Sequence, residues 1–374
     1  MNLAPIAIVL PDLRGGGVER ARILLAHEFV KQGHDVEFVV MRAEGELAEE
    51  AGRHFRVFEL DILRARHLPI HLIRYLRLRR PRAVLAAMWP ITCLTVLAAR
   101  LSRVPCRVVI SEHNNLDFQY GTRGRLHRLM LRTSMRVTYP LATARVGVSA
   151  GVVEGLSRLS GLRRERFQVI YNPVRQASSK SDISADAVEN LWPPSPGFRV
   201  ITVGRQKHQK NHALLLRAFA QLTQHVQAIL MLVGDGPLQE DLRSLAESLG
   251  IGNQVIFSGF QEEITALCGS ADLFVLSSDY EGFGNVIVEA LACGTPVVST
   301  DCPSGPAEIL KHGEFGLLVP VGDKNALALA IQQSLQTEHN RAALKIRALD
   351  FAPAIAAGRY LVALTGHTDN VASL

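Results

Sequence analysis

Short apolar, β-branched runs alternate along this chain with stretches whose apolar residues recur every three or four positions, and the alternation runs almost from end to end. Runs at 6–10, 36–40, 84–88, 108–111 and 144–149 predict strands, and the helical spacings between them predict crossovers. The same rhythm restarts at 198–203 and continues through 228–233, 255–257, 272–278 and 296–299, with helices at 213–222, 285–293 and from about 325 onward. Strand and helix in strict alternation imply parallel sheets covered on both faces. One stretch breaks the rhythm: 175–197 is the least apolar part of the chain, rich in Ser and ending Pro-Pro-Ser-Pro-Gly, the composition of a linker.

With 374 residues the chain exceeds what one hydrophobic core usually holds, so two α/β domains are expected, 1–174 and 198–350, with a final helical segment at 351–374. The run 3–10 lacks a basic leader and stops at Pro11-Asp12, which suits a first buried strand better than a signal peptide. Residues 83–99 are apolar over nearly the length of a membrane span, yet Pro90 divides them into a strand-like and a helix-like half. Five scattered cysteines without a Cys-x-x-Cys pair or a zinc-like His spacing predict a reduced chain with no structural metal.

The most informative stretch is 272-DLFVLSSDYEGFGNVIVEALACGTPVVS-299, a strand, a loop, a helix and a strand. Its loop carries Glu281, Gly282, Phe283 and Gly284, with Asn285 opening the helix, so backbone N–H groups can approach an anion closely. Glu289 follows about one turn into the helix, where a carboxylate can accept hydrogen bonds from vicinal ribose hydroxyls. Two glutamates eight apart also fit a solvated helix face; the flanking glycines at a strand-to-helix crossing favour a ligand site.

Other loops fit the same chemistry. Arg205, Lys207 and Lys210, in 204-GRQKHQKNH-212, stand between a strand end and a helix start, where they can meet a diphosphate. The first strand runs into 14-RGGGVERA-21, where Gly16 and Gly17 can bring amides to a phosphate; Arg20 replaces the last glycine of a dinucleotide fingerprint, which disfavours a nicotinamide enzyme. His113 follows a strand directly and can donate to a sugar hydroxyl, or be a satisfied loop histidine. Ser149 is placed to cap a helix, and Tyr171-Asn172-Pro173-Val174 closes the first domain.

Charge changes the picture in one respect. Residues 1–174 carry 27 Lys and Arg against 15 Asp and Glu, whereas the remainder carries 14 against 20. Seven arginines lie between Arg64 and Arg82, and Arg125, Arg128, Arg132 and Arg136 share one helix face. Interleaved with Leu and Ile, they fit an anionic lipid surface; few aromatics accompany them, which speaks against nucleic acid.

These segments together, GGGVER, NPV, GRQKHQKN, VGDGP, EGFGNVIVEALACGTPVV and DCPSGPAEIL with GLLVP, resemble the retaining glycosyltransferases of family 4, group 1, over nearly the whole length. The resemblance implies a GT-B fold, two Rossmann-like doubly wound parallel-sheet domains facing a central cleft, with the last helix crossing back to the first domain. It implies that Arg205 and Lys210 stabilise a departing diphosphate, that Glu281 faces the donor sugar and Glu289 holds the ribose. His113 would contact the donor from the first domain, although SEHNN matches only loosely, and Gly16 and Gly17 would approach the pyrophosphate. Front-face displacement without a metal or other cofactor follows from the same likeness. The expected reaction is hexosyl transfer from a nucleotide-sugar, UDP-linked, to a membrane-associated glycan or lipid-linked acceptor, by a cytoplasmic enzyme peripheral to the inner membrane face. The alternatives are a soluble acceptor, a silent nucleotide-sugar-binding module and a GT-B epimerase.

Overall fold

The computed structural model describes residues 4–175, 188–194, 197–261 and 264–366. The chain divides into two compact units, 1–174 with 352–374, and 175–351.

The first unit contains, in chain order, β1 (Ile6–Leu10), α1 (Gly17–Lys31), β2 (Val36–Val40), α2 (Ala48–His54), β3 (Arg56–Glu59), α3 (Leu68–Arg79), β4 (Ala83–Ala87), α4 (Ile91–Ser102), β5 (Arg107–Glu112), α5 (Leu116–Gln119), α6 (Arg125–Thr138), β6 (Ala144–Gly147), α7 (Ala150–Ser160) and β7 (Gln168–Val169). The strands form one sheet in the order β3-β2-β1-β4-β5-β6-β7, every pair parallel. β1, β2 and β4 are buried at every position, as strands covered on both faces must be.

The second unit contains β8 (Phe198–Val203), α8 (His212–Leu222), β9 (Ala228–Val233), α9 (Gln239–Ser248), β10 (Val255–Gly259), α10 (Ile264–Gly269), β11 (Leu273–Leu276), α11 (Asn285–Cys293), β12 (Val297–Thr300), α12 (Pro306–Ile309), β13 (Leu317–Val319), α13 (Lys324–Gln336) and α14 (Arg341–Leu349). Its sheet, order β10-β9-β8-β11-β12-β13, is also parallel throughout. In each sheet the chain winds outward from a central strand and then crosses to wind the other way. The reversal falls between β1 and β4 in the first sheet and between β8 and β11 in the second, and the loops at the carboxyl ends of such strands are where open α/β sheets hold ligands.

The last helix, α15 (Pro353–Thr365), completes the first core: Ala357, Tyr360, Leu361 and Leu364 pack with residues of β1 and α1. Arg107 Nε donates to the Ala363 carbonyl (3.2 Å) and fastens its end to β5. By length and composition alone 341–365 could cross a membrane, but α14 packs on α11 in the second unit and α15 on α1 in the first. The stretch 83–99 likewise folds as the buried β4 and α4.

Two sequence expectations change in this light. Of the stretch read as a linker, 176–187 and 195–196 lie outside the described residues, but its end belongs to the second unit's packing. Val188 and Trp192 are buried, Trp192 Nε1 donates to Ser270 Oγ (2.9 Å), and the Arg199 guanidinium covers the indole. A tryptophan hides too much apolar area to stay in a solvated tether. The Arg64–Arg82 set is also not one free basic patch. Arg79 is taken by the buried Glu37, Arg77 donates to the Ser102 carbonyl (3.3 Å), and Arg82 reaches His34.

Leu364→Ala would open a cavity in the first core and lower stability by about 2–5 kcal/mol. A shift of the urea midpoint, followed by Trp89 emission in a Trp192→Phe background, checks this.

Candidate active site

At the switch point of the second sheet, the loop after β8 and the loop after β11 are stitched together by side chains and backbone. Lys210 Nζ donates to Glu281 Oε1 (2.6 Å), and Ser278 Oγ donates to the same oxygen (2.6 Å). The Asp279 N–H donates to the Gln209 carbonyl (2.9 Å), Gln209 Nε2 to the Tyr280 carbonyl (2.8 Å), and Ser277 Oγ to the Lys210 carbonyl (2.9 Å). Asn211 has positive φ (44°), caps α8 by accepting from the Leu214 N–H, and donates to Asp279 Oδ1 (2.7 Å). The Lys210 and Glu281 side chains are only 14% and 8% exposed, so the pair is held in a poorly solvated place. Lys210 nonetheless keeps two further N–H donors beyond the one given to Glu281.

Around this pair the remaining second-unit residues divide. Arg205 and Lys207 are exposed on the same loop. Surrounding protein and then the Lys210 charge hold the Lys207 ammonium below its ordinary value, even though the side chain itself reaches solvent. His212, buried beside Lys210, is pushed down to about 4, first by burial and then by that charge. Gly282 and Gly284 are buried, Asn285 is half-buried at the first turn of α11, and Gly284 enters the helix with φ 101°. The Phe283 ring turns into the core against Phe351 (5.4 Å between centroids), so only its backbone is available to a ligand. Glu289 is half-buried in the second turn of α11, close enough to Cys268 and Cys293 to raise both thiols beyond what burial does.

Sequence reasoning missed what props the Glu281 loop. Gly305 and Pro306 mark a tight bend that the sequence leaves open between turn chemistry and ligand contact; with φ 104° Gly305 lies so close that a Cβ would meet the Phe283 carbonyl at 1.8 Å. The Glu281 N–H donates to the Pro303 carbonyl (3.2 Å), and Thr300 Oγ1 to the Ser278 carbonyl (2.6 Å). Only glycine allows that approach, and the Gly305-Pro306 pair was the signal available.

The first unit holds His113, Gly16 and Gly17. His113 is buried just beyond β5, and Nη2 of the fully buried Arg22 lies 2.7 Å from its Nε2. A guanidinium only donates, so Nε2 accepts and the ring proton sits on Nδ1. Arg22 also donates to Ser111 Oγ and Tyr360 Oη and lies over the Tyr360 ring (5.0 Å). Burial, then the Arg22 charge, hold His113 well below its ordinary value, against an upward pull from a hydrogen bond with Asn172 of the Asn-Pro-Val turn. Ser149 caps α7, accepting from the Val152 N–H (3.2 Å). Glu112, one residue before His113, accepts from Tyr139 Oη (2.6 Å), Thr92 Oγ1 (2.8 Å) and the Trp89 N–H (3.0 Å), and burial still raises it to about 7. Gly16 precedes α1, but its N–H already donates to the Arg14 carbonyl (2.6 Å), and the Glu19 carboxylate packs where a Gly16 Cβ would stand. Burial lifts Glu19 to about 7. Arg22 and Ser111 had no motif to announce them, and Glu19 lay inside GGGVER with no role read from it.

Among the described residues no group of three or more His, Cys, Asp and Glu lies together as a metal site would require.

Two doubly wound parallel sheets, with acidic, basic and glycine-bearing loops at their switch points, place the protein in the GT-B class of sugar-transferring enzymes. Residues 15–177 match the family model described as Glycosyltransferase Family 4, and residues 189–350 the one described as Glycosyl transferases group 1. A Campylobacter jejuni protein, N-acetylgalactosamine-N,N'-diacetylbacillosaminyl-diphospho-undecaprenol 4-alpha-N-acetylgalactosaminyltransferase, is 30% identical over 252 residues, 67% of each chain. A second from the same organism, GalNAc-alpha-(1->4)-GalNAc-alpha-(1->3)-diNAcBac-PP-undecaprenol alpha-1,4-N-acetyl-D-galactosaminyltransferase, is 27% identical over 92% of this chain and 94% of its own. The solved structure of Anabaena Alr3699/HepE in complex with UDP superposes with a TM-score of 0.75 at 22% identity, over 97% of this chain and all of that one, a likeness of fold. The chain belongs to the group 1, family 4 glycosyltransferases, and it is a hexosyltransferase.

Two titrations follow. The folded Glu19 carboxyl, near 7, holds its proton where the unfolded one at 4.5 has lost it. Its stabilising contribution is therefore full below pH 4.5 and lost as pH rises through 7, up to about 3 kcal/mol. Urea midpoints at pH 5 and pH 8 should differ less in Glu19→Gln than in wild type. For His113, long-range ¹H–¹⁵N spectra of ¹⁵N-histidine protein should show a ring that stays neutral, with an Nδ1 proton, well below the pH at which an ordinary histidine titrates. In Arg22→Gln the titration should move up toward the ordinary histidine value.

Proposed function

We propose that this enzyme moves a hexose from a nucleotide-sugar donor, UDP-linked, to a membrane-associated glycan or lipid-linked acceptor with retention of anomeric configuration, working at the cytoplasmic face of the membrane. The observation that carries the reading is the Lys210–Glu281 pair at the switch point of the second sheet, with Arg205 on the same loop. HepE was crystallised with UDP, and the Campylobacter relatives are named for undecaprenol-linked substrates, which supports the donor and the acceptor class.

In this reading Lys210 and Arg205 meet the negative charge that develops on the leaving diphosphate as its bond to the sugar C1 breaks. A fixed cation in a poorly solvated place needs no reorganisation at that moment. The acceptor oxygen forms its bond to C1 on the face the diphosphate leaves, and the acceptor proton passes to a phosphate oxygen. Glu281, oriented by Ser278 and Lys210, accepts hydrogen bonds from donor-sugar hydroxyls, and Glu289 holds the ribose. Gly282, Gly284, Asn285 and the Phe283 backbone line the donor in the second unit. No resident metal or cofactor takes part.

Thermal-shift measurements with UDP-, GDP- and ADP-sugars should single out the UDP series, because a ligand of the folded state raises its melting point. Lys210→Ala and Glu281→Ala should each lower turnover by about 100-fold or more, and chelators should leave the wild type unchanged. Full transfer by both variants, or a wild type that only binds donor, would discard the reading.

A further inference from the structure

Helix α6 carries three stripes where a surface helix needs two. Leu131, Met135 and Thr138 are buried and pack it onto the unit. Arg125, Arg128, Arg132 and Arg136 form a second, exposed stripe. The third is equally exposed and apolar apart from Thr133, whose hydroxyl is given to the Leu129 carbonyl (2.8 Å): Leu126 at 81%, Leu129 at 58%, Met130 at 51% and Val137 at 67%. At 3.6 residues per turn the centre of this stripe lies roughly 145° round the helix axis from the buried one, so it cannot share in the core. Single exposed leucines are ordinary; four apolar side chains on one stripe, edged by four arginines, are not.

The pairing of charge with hydrocarbon selects the occupant. A second copy of the chain would bring four arginines against four. Nucleic acid would satisfy the arginines but offers its bases to aromatic platforms, and Leu126, Leu129, Met130 and Val137 provide none. A bilayer with anionic headgroups supplies phosphates for the guanidinium groups and acyl chains for the apolar stripe at once. Helix α3 makes a poorer case: its exposed Ile70 and Leu78 are two turns apart, and Arg77 and Arg79 are engaged with the protein.

We propose that α6 lies flat in the interface of an anionic bilayer, with Leu126, Leu129, Met130 and Val137 below the headgroups and Arg125, Arg128, Arg132 and Arg136 among the phosphates. This deepens the reading of a membrane-associated acceptor, on which its purpose rests. The helix, not the Arg64–Arg82 segment, is then the element that brings the enzyme to its acceptor.

Flotation of the full-length protein with phosphatidylcholine vesicles, with and without phosphatidylglycerol, tests it. Wild type should float only with the anionic vesicles. Leu126→Ser with Leu129→Ser should weaken partition by about tenfold or more, and Arg128→Glu with Arg132→Glu should do the same. Arg66→Glu with Arg74→Glu should matter much less. An unchanged circular-dichroism melt excludes misfolding, and Leu129→Trp should shift its emission to the blue and be quenched by brominated lipid. The proposal is overturned if wild type does not float, if both α6 variants float as wild type does, or if the α3 variant alone detaches. It is equally overturned if the serine pair dissociates a dimer, or frees bound RNA, while flotation persists. Lipid-linked acceptor turnover without flotation would sink this proposal and leave the functional reading standing; flotation without turnover would do the reverse.

Discussion

The Lys210–Glu281 ion pair is the contact on which the second unit's site depends. Both partners are largely withdrawn from water, where an unpaired charge costs on the order of 3–5 kcal/mol, so each holds the other's loop in place. The loop after β8 holds a single 3₁₀ turn, His208–Lys210, and the loop after β11 has no helix or strand before α11. Their shape comes from that pair, from Gln209 and Asn211 reaching across, and from Gly305, which lets the next loop press against Phe283 from behind. A cation fixed in this way needs no further reorganisation of either loop to stay where it is.

The first unit solves a related problem with different groups. Arg22 is wholly buried, with Ser111, His113 and the face of Tyr360 around it. Tyr360 comes from α15, so this helix supports the guanidinium that sets the His113 tautomer. The ring is kept neutral by burial and by the adjacent cation, and its one proton is directed to Nδ1. A histidine so held serves as a hydrogen-bond donor, not as a titrating acid.

The excess of basic residues in the first unit likewise serves separate ends. Arg22, Arg79 and Arg145 are spent internally, Arg145 on the carbonyls of Tyr139, Ala142 and Arg166. On α6 the arginines are left in solvent, beside apolar residues that the core does not use. Net charge alone could not tell these populations apart.

Periodicity by itself determined the two parallel-sheet units, most strand positions and the helix starts, because backbone hydrogen bonding and burial impose repeats of two and 3.6 that a one-dimensional reading can detect. The loops that carry Lys210 and Glu281, with Gly282 and Gly284 after the latter, were equally visible as short, dense combinations of charge and glycine at strand ends. Tertiary structure alone decided which partners meet. That Lys210 faces Glu281 depends on β8 lying beside β11, and that Arg22 touches His113 and Tyr360 depends on α1, β5 and α15 sharing one core. Trp192 and Phe283 went the same way: local composition suggested a tether and a ligand contact, but their large apolar surfaces are buried against Ser270 with Arg199 and against Phe351. Contacts between residues 70 to 340 positions apart leave no local mark in a sequence, because the free energy that selects them comes from packing and desolvation once the elements are assembled.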